Sequence, residues 1–202
     1  MSFQEVHYRP AFGRVLSVVT VVLCAAAIGA LIWDDPISAL RYAWPLLFVA
    51  ILAWALFWRP ALHVEPHGVT VVNVLRTHFL PWPAVQSIDT RFALTLQTRT
   101  QRVPVWATPA PGRHRALGLA SKDFDGVGAS ARGPLGELRP SDAVSTPSGN
   151  LAQTIRGQWE DLRDAGLLAA GEEPGGEKTT WHVGTIIALV LTAAAAVLGL
   201  AL

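Results

Sequence analysis

Charge is scarce in this 202-residue chain: Asp, Glu, Lys and Arg make up 15% of it, against 51% hydrophobic residues. Soluble domains carry roughly a quarter charged residues. The deficit is concentrated in three windows, 15–33, 42–58 and 183–202, which hold no Asp, Glu, Lys or Arg at all. An apolar run of about 18 residues or more spans the ~30 Å hydrocarbon core as a helix, so a soluble enzyme filling the whole length is excluded. Cysteine is nearly absent. The single Cys24 excludes a disulfide scaffold and a cysteine-built metal site. A Ser-His-Asp order and a glycine-rich phosphate loop are missing as well. The expectation is a protein without catalytic residues, cofactor or nucleic-acid partner.

What is present begins with the windows themselves. The first follows Arg9 and Arg14 and runs into small residues, a pattern shared by a first membrane span and a cleaved signal peptide. The second starts only about eight residues later, so the chain reads as a membrane protein either way. Pro45 near the start of the second window costs little in a first helical turn, where its missing N–H has no partner anyway. Trp44 and Trp58 read as interfacial aromatics at its two ends. The pair predicts a helical hairpin with a short turn. In the third window Gly184, Ala188 and Thr192, with Ala195 and Gly199, form small-residue ladders suited to helix packing. Basic residues flank the spans at Arg9, Arg14, Arg59 and Lys178, whereas Asp34 and Asp35 outnumber Arg41 in the turn. The positive-inside bias places residues 1–14 and 59–180 in the cytoplasm, and the turn and C-terminus outside.

Between the second and third spans the texture changes to β. Leu62 and Val64, then Val69 and Val71, alternate about the Pro66-His67-Gly68 turn. Further strands are predicted over 85–91, 93–98 and 102–107, the last two joined by a polar hairpin at 98–101. Residues 120–149 are rich in Gly, Ser, Pro and Ala without periodicity and read as a disordered insert. Asn150 reads as the N-cap of a helix over 151–168, within an amphipathic segment 150–170. Its stripe is Leu151, Ile155, Trp159 and Leu162, opposite Arg156, Glu160, Asp161, Arg163 and Asp164. The fold class expected is α+β: three transmembrane helices and a small antiparallel β domain, 59–119, with an amphipathic helix after it.

Several short motifs in this order carry a resemblance: Arg9-Pro10, Trp58-Arg59-Pro60, the stretch PHGVTVVN over 66–73, PWPAV over 81–85 and VPVWA over 103–107. They resemble the bacterial pleckstrin-homology (PH) family, and within it the actinobacterial type called low-molecular-weight protein antigen 6, over about residues 8–119. The resemblance implies two small, near-orthogonal antiparallel sheets closed by a C-terminal helix. The chain departs from that pattern by the insert 120–149 and the third span. The helix 151–168 is therefore either the closing helix of the fold or a separate juxtamembrane helix.

Candidate chemistry is sparse. His63 and His67 straddle Pro66, which forbids a helical metal-binding pair; with His78 and His114 they read as surface histidines. Asp123 and Asp125 lack the glycine and glutamate of a calcium loop. Trp82 and Trp106 read as core aromatics, with a ligand platform as the alternative. Charge is more informative. Residues 59–118 hold seven Arg and two acids, whereas 119–180 hold six Lys or Arg and ten acids. Arg76, Arg91, Arg99, Arg102, Arg113 and Arg115 are the candidate basic face toward a membrane or a partner, with a merely solvated sheet face as the plain alternative. Trp58, Arg59 and Pro60 form the membrane-domain junction. The first hairpin turn has no lysine, so the inositol-phosphate site of eukaryotic PH domains is not expected. The function expected is a non-catalytic module on the cytoplasmic face of the cell membrane that binds a protein or peptide. The alternatives are an element that senses anionic lipid and an accessory subunit of a transport or cell-envelope complex. The partners expected are the lipid bilayer and a protein.

Overall fold

The computed structural model describes residues 3, 5–90, 93–109, 123, 142–168 and 176–201. In chain order the elements are β1 (Val6–Tyr8), α1 (Ala11–Asp34), α2 (Pro36–Ala53), β2 (Ala61–Glu65), β3 (Gly68–Val72), β4 (Arg76–Pro81) and β5 (Val85–Asp89). After them come β6 (Ala93–Thr98), β7 (Arg102–Pro109), α3 (Pro147–Asp164), β8 (Lys178–Trp181) and α4 (Val183–Ala201). The chain divides into two units. A β unit comprises Met1–Tyr8, Ala61–Val72 and His78–Thr179; a helical unit comprises Arg9–Pro60, Asn73–Thr77 and Thr180–Leu202.

In the helical unit, three helices among the described residues are long and apolar enough to cross a membrane: Ala11–Asp34, Pro36–Trp58 and Val183–Ala201. The first two are longer than their charge-free windows, and one residue, Asp35, separates them. Asp35 caps α2: its carboxylate accepts from the Ile37 N–H at 3.0 Å and from the Ser38 hydroxyl at 2.6 Å, while Pro36 takes the first helical position. Because α2 starts nine residues before it, Pro45 lies inside the helix rather than in its first turn. The proline cannot donate to the Arg41 carbonyl one turn earlier. That carbonyl faces α4, where a Cβ on Gly199 would lie 2.7 Å from it. The Arg41 guanidinium in turn donates to the Gly199 carbonyl at 2.6 Å.

The packed seam of α4 runs through Thr185, Thr192 and Ala196. Of the predicted ladders, Thr192 is buried and Gly199 makes a close approach, but Gly184 faces open space. Near the other end of α2, residues Trp54–Trp58 widen into a π turn, with the Arg59 N–H reaching the Trp54 carbonyl at 3.3 Å. Gly13 of α1 packs against this turn; a Cβ there would be 3.0 Å from the Phe57 carbonyl.

In the β unit, β2 and β3 form a hairpin in which Glu65 pairs with Gly68 across Pro66-His67. Gly68 is required by space, since a Cβ would lie 2.4 Å from the Leu80 carbonyl. The strands make two sheets, ordered β1-β2-β3-β4-β8 and β5-β6-β7. Their period-2 apolar residues meet in one core: Leu62, Val64, Val69 and Val71 from the first sheet, Leu94, Leu96, Val103 and Val105 from the second. Full burial of each such side chain is worth about 1.5–3 kcal/mol. Leu151, Ala152 and Ile155 of α3 complete that core, with Trp159 and Leu162 packed against it. The helix therefore closes the sheets; it is not a separate juxtamembrane helix.

The helix also begins earlier than Asn150. Thr146 is its N-cap, accepting the Gly149 N–H at 3.0 Å, and Pro147 fills the first position. It ends at Asp164, where Gly166 takes a positive φ of 70° and Leu167 N–H returns to the Leu162 carbonyl. Residues 142–149, read from composition as part of a disordered insert, are ordered and include buried Asp142, Ala143, Thr146 and Ser148. The Val144 N–H donates to the Asp123 carbonyl at 2.8 Å; the rest of 120–141 lies outside the described residues. The strand predicted over 85–91 stops at Asp89, and β7 extends through Pro109.

Candidate functional site

Within the β unit, β6 and β7 meet in a four-residue turn set by Thr98. Its N–H donates to the Gln101 carbonyl at 2.9 Å, and its hydroxyl accepts the N–H groups of Thr100 and Gln101. The Glu177 carboxylate then accepts from the Thr100 hydroxyl at 2.7 Å and the Gln101 amide at 2.8 Å. Partial burial pushes the Glu177 pKa up, but the hydrogen bonds from Thr100, Gln101 and Thr98 outweigh it, and the carboxyl sits below its ordinary value. Arg99 and Arg102 are exposed on this locked turn.

Along β7 the alternation is strict. Val103, Val105 and Ala107 enter the core; Arg102, Pro104 and Trp106 face out. Trp106 is 55% exposed, so it is not a core residue. Its sequence context is apolar, but its parity on the strand puts it opposite Val103 and Val105. Trp82, by contrast, is buried and donates its indole N–H to the Glu65 carbonyl at 2.9 Å.

The inner polar groups of the unit serve the fold. Arg156 is buried, not on the solvent face of α3. It donates to Asp142 Oδ1 at 3.2 Å and to the Ile88 carbonyl at 2.9 Å, and the Thr90 hydroxyl donates to the same Asp142 oxygen at 2.5 Å. Trp159 donates to the Val85 carbonyl at 2.9 Å. Both α3 side chains thus bond carbonyls of β5, which closes an edge strand with a helix. His78, expected at the surface, is buried and bonded to the Thr179 hydroxyl at 3.0 Å.

In the helical unit, arginine–tryptophan pairs gather at one end of the helices. Arg14 of α1 lies over Trp58 at 5.2 Å, Arg59 over Trp54 at the end of the second apolar helix at 5.4 Å, and Arg76 of β4 over Trp181, the last residue of β8 before α4, at 4.9 Å. Arg59 also donates to the Thr185 hydroxyl. His182 starts the last helix: its N–H donates to the Leu75 carbonyl at 2.8 Å and its ring bonds the Thr77 hydroxyl at 2.9 Å. Burial holds the His182 imidazole below its ordinary pKa; the Val74 carbonyl opposes that shift and the Arg59 charge adds to it. The acids of the helical unit are Asp34 and Asp35, at the α1–α2 turn.

Of the six arginines of the expected basic face, three lie among the described residues. Arg99 and Arg102 share the β6–β7 turn, Arg76 belongs to the helical unit beside Trp181, and Arg91, Arg113 and Arg115 lie outside the described residues, as does His114. Of the junction residues, Trp58 and Arg59 are each paired in the collar of arginine–tryptophan contacts and Pro60 is buried before β2. Arg14, Trp54 and Trp181 were missed as members of this collar. Two of the three pairs are faint in sequence, because Arg14 and Trp58 lie on different helices and Arg76 and Trp181 on different strands.

Two antiparallel sheets with an amphipathic helix completing their shared core are the architecture of a PH-like module. Residues 59–153 match the family model described as a bacterial PH domain. The match reaches into α3, in agreement with the helix's place in the core, and leaves out the N-terminal span that the sequence motifs had included. No curated protein and no solved structure matches the chain.

Proposed function

We propose that the protein is a non-catalytic, membrane-anchored PH module on the cytoplasmic face of the cell membrane, which binds a protein or peptide segment. The outward face of β6 and β7 is the binding surface in this reading. The observation that carries it is Trp106: a large aromatic, 55% exposed, on one strand face with Arg102 beside a turn pinned by Glu177. Tryptophan and arginine are the residue types that most often dominate interface energies. Placing a photo-crosslinking amino acid at 106 in intact cells tests this. A discrete protein adduct that is lost in an Arg102→Glu background, and absent when the crosslinker sits at exposed His67, supports the reading. Equal labelling from both positions overturns it.

The charge distribution of the helical unit supports the orientation. Arg9, Arg14, Arg59 and Arg76 lie by sequence at the end where α1 and α4 begin, opposite Asp34 and Asp35, as the positive-inside bias favours. The same collar favours a second reading, attraction to anionic headgroups at about 1 kcal/mol per arginine near the surface. That reading requires association of the reconstituted protein with anionic lipids to weaken steeply with salt.

A further inference from the structure

We propose that His7 and His63 form a two-imidazole site for a divalent transition-metal ion of the zinc, copper and nickel class, on the exposed face of β1–β2. The two residues are direct register partners across the antiparallel pair. Their Nδ1 atoms face each other at 2.6 Å, with ring centroids 4.7 Å apart and planes crossed at 76°. Only one of two nitrogens at that separation can carry a proton, so the pair holds a lone pair aimed at its neighbour. An ion replacing that proton bonds both rings. Tetrahedral zinc–imidazole bonds of about 2.0–2.1 Å separate two ligand nitrogens by about 3.3 Å, an opening of about 0.7 Å from the observed 2.6 Å that side-chain torsion provides.

The surroundings suit a cation. On β3 the register partner of His63 is the uncharged Thr70, and Glu65 lies two residues along β2 on the same face. Among the described residues no group of three His, Cys, Asp or Glu side chains is assembled for a metal. The site thus has two protein ligands, with its remaining positions left to water. Imidazole donors select zinc, copper or nickel over magnesium and calcium, which prefer oxygen. Because the ligands come from different strands 56 residues apart, the bound ion staples the three-residue β1 to the sheet and stabilises the folded state by mass action.

The test uses the full chain in detergent without a histidine tag, titrated with zinc chloride, nickel chloride and magnesium chloride. One zinc per chain is expected, with micromolar affinity, weakened at least tenfold by His7→Ala and by His63→Ala and unchanged by His67→Ala. Zinc should also slow amide exchange at residues 6–8 in the parent protein and not in His7→Gln, which keeps a polar side chain at the exposed edge and separates loss of the ligand from loss of the strand. Binding that survives both alanine substitutions, magnesium binding as tight as zinc, or no zinc binding overturns the proposal.

Discussion

Arg156→Met removes the cation from the most buried ion pair among the described residues. The side chains of Arg156 and Asp142 are 9% and 1% exposed. Without the guanidinium, Asp142 keeps only the Thr90 hydroxyl at Oδ1, its Oδ2 already has no partner, and the Ile88 carbonyl loses its donor. Breaking a buried pair from one side costs about 3–5 kcal/mol, because the remaining charge stays desolvated. With a urea slope of about 1.5 kcal/mol/M for a domain of this size, the unfolding midpoint falls by about 2–3 M. Urea unfolding of the detergent-solubilised chain, followed by pulse proteolysis of the β unit, reads this directly. Removing both charges, as Asp142→Leu with Arg156→Met, should cost less than Arg156→Met alone, since no buried charge is stranded. A single-variant cost below about 1 kcal/mol, or a double-variant cost equal to the sum of the singles, refutes the reasoning.

Glycines in and around α3 give opposite outcomes. A Cβ on Gly149 would lie 2.1 Å from the Ala143 carbonyl, whereas nothing lies within 4 Å of one on Gly157; Gly149→Ala should destabilise by more than about 2 kcal/mol and Gly157→Ala should stabilise by about 0.5–1 kcal/mol in the same urea assay. In the helical unit, Gly199→Leu should separate α4 from α2 and Gly184→Leu should not, because of these two glycines only Gly199 approaches a neighbouring backbone; crosslinking between cysteines placed on α2 and α4 distinguishes them. Glu177 supplies a pH dependence. Its folded pKa lies below the ordinary 4.5, so its contribution is complete above that pH and is lost as pH falls through the folded value. Exchange protection of the β6–β7 turn should therefore drop on acidification below pH 4.5, and Glu177→Gln should flatten that drop.

Much of the fold was legible because burial leaves a period. Charge-free windows marked the three helices long and apolar enough to cross a membrane, and alternation marked Leu62, Val64, Val69 and Val71 as core on the strands they occupy. What stayed hidden was set by partners distant in sequence. β1 has only three residues and exists because His7 and its neighbours pair with β2. β8 is exposed throughout and has no apolar pattern to betray it. Arg156 reads as a solvent residue until Asp142, from a stretch that looks like linker, is folded beneath it. The start of α3 was misplaced because Asn150 and Thr146 are both acceptable caps; the core contacts of Leu151 and Ala152 require the earlier one. Arginine counting in the candidate surface carries no information about which unit a residue joins, and Arg76 joins the helical unit while Arg99 and Arg102 join the β unit. Trp106 was legible from strand parity and obscured by its apolar neighbours.

The measurement that bears most directly on the proposed cytoplasmic placement of the β unit is cysteine labelling in intact cells, after Cys24→Ala. Ser38→Cys reports the α1–α2 turn and Ser87→Cys, on exposed β5, reports the β unit. A membrane-impermeant maleimide should label position 38 from outside and reach position 87 only after permeabilisation. Labelling of position 87 in intact cells, with position 38 protected, would contradict the account.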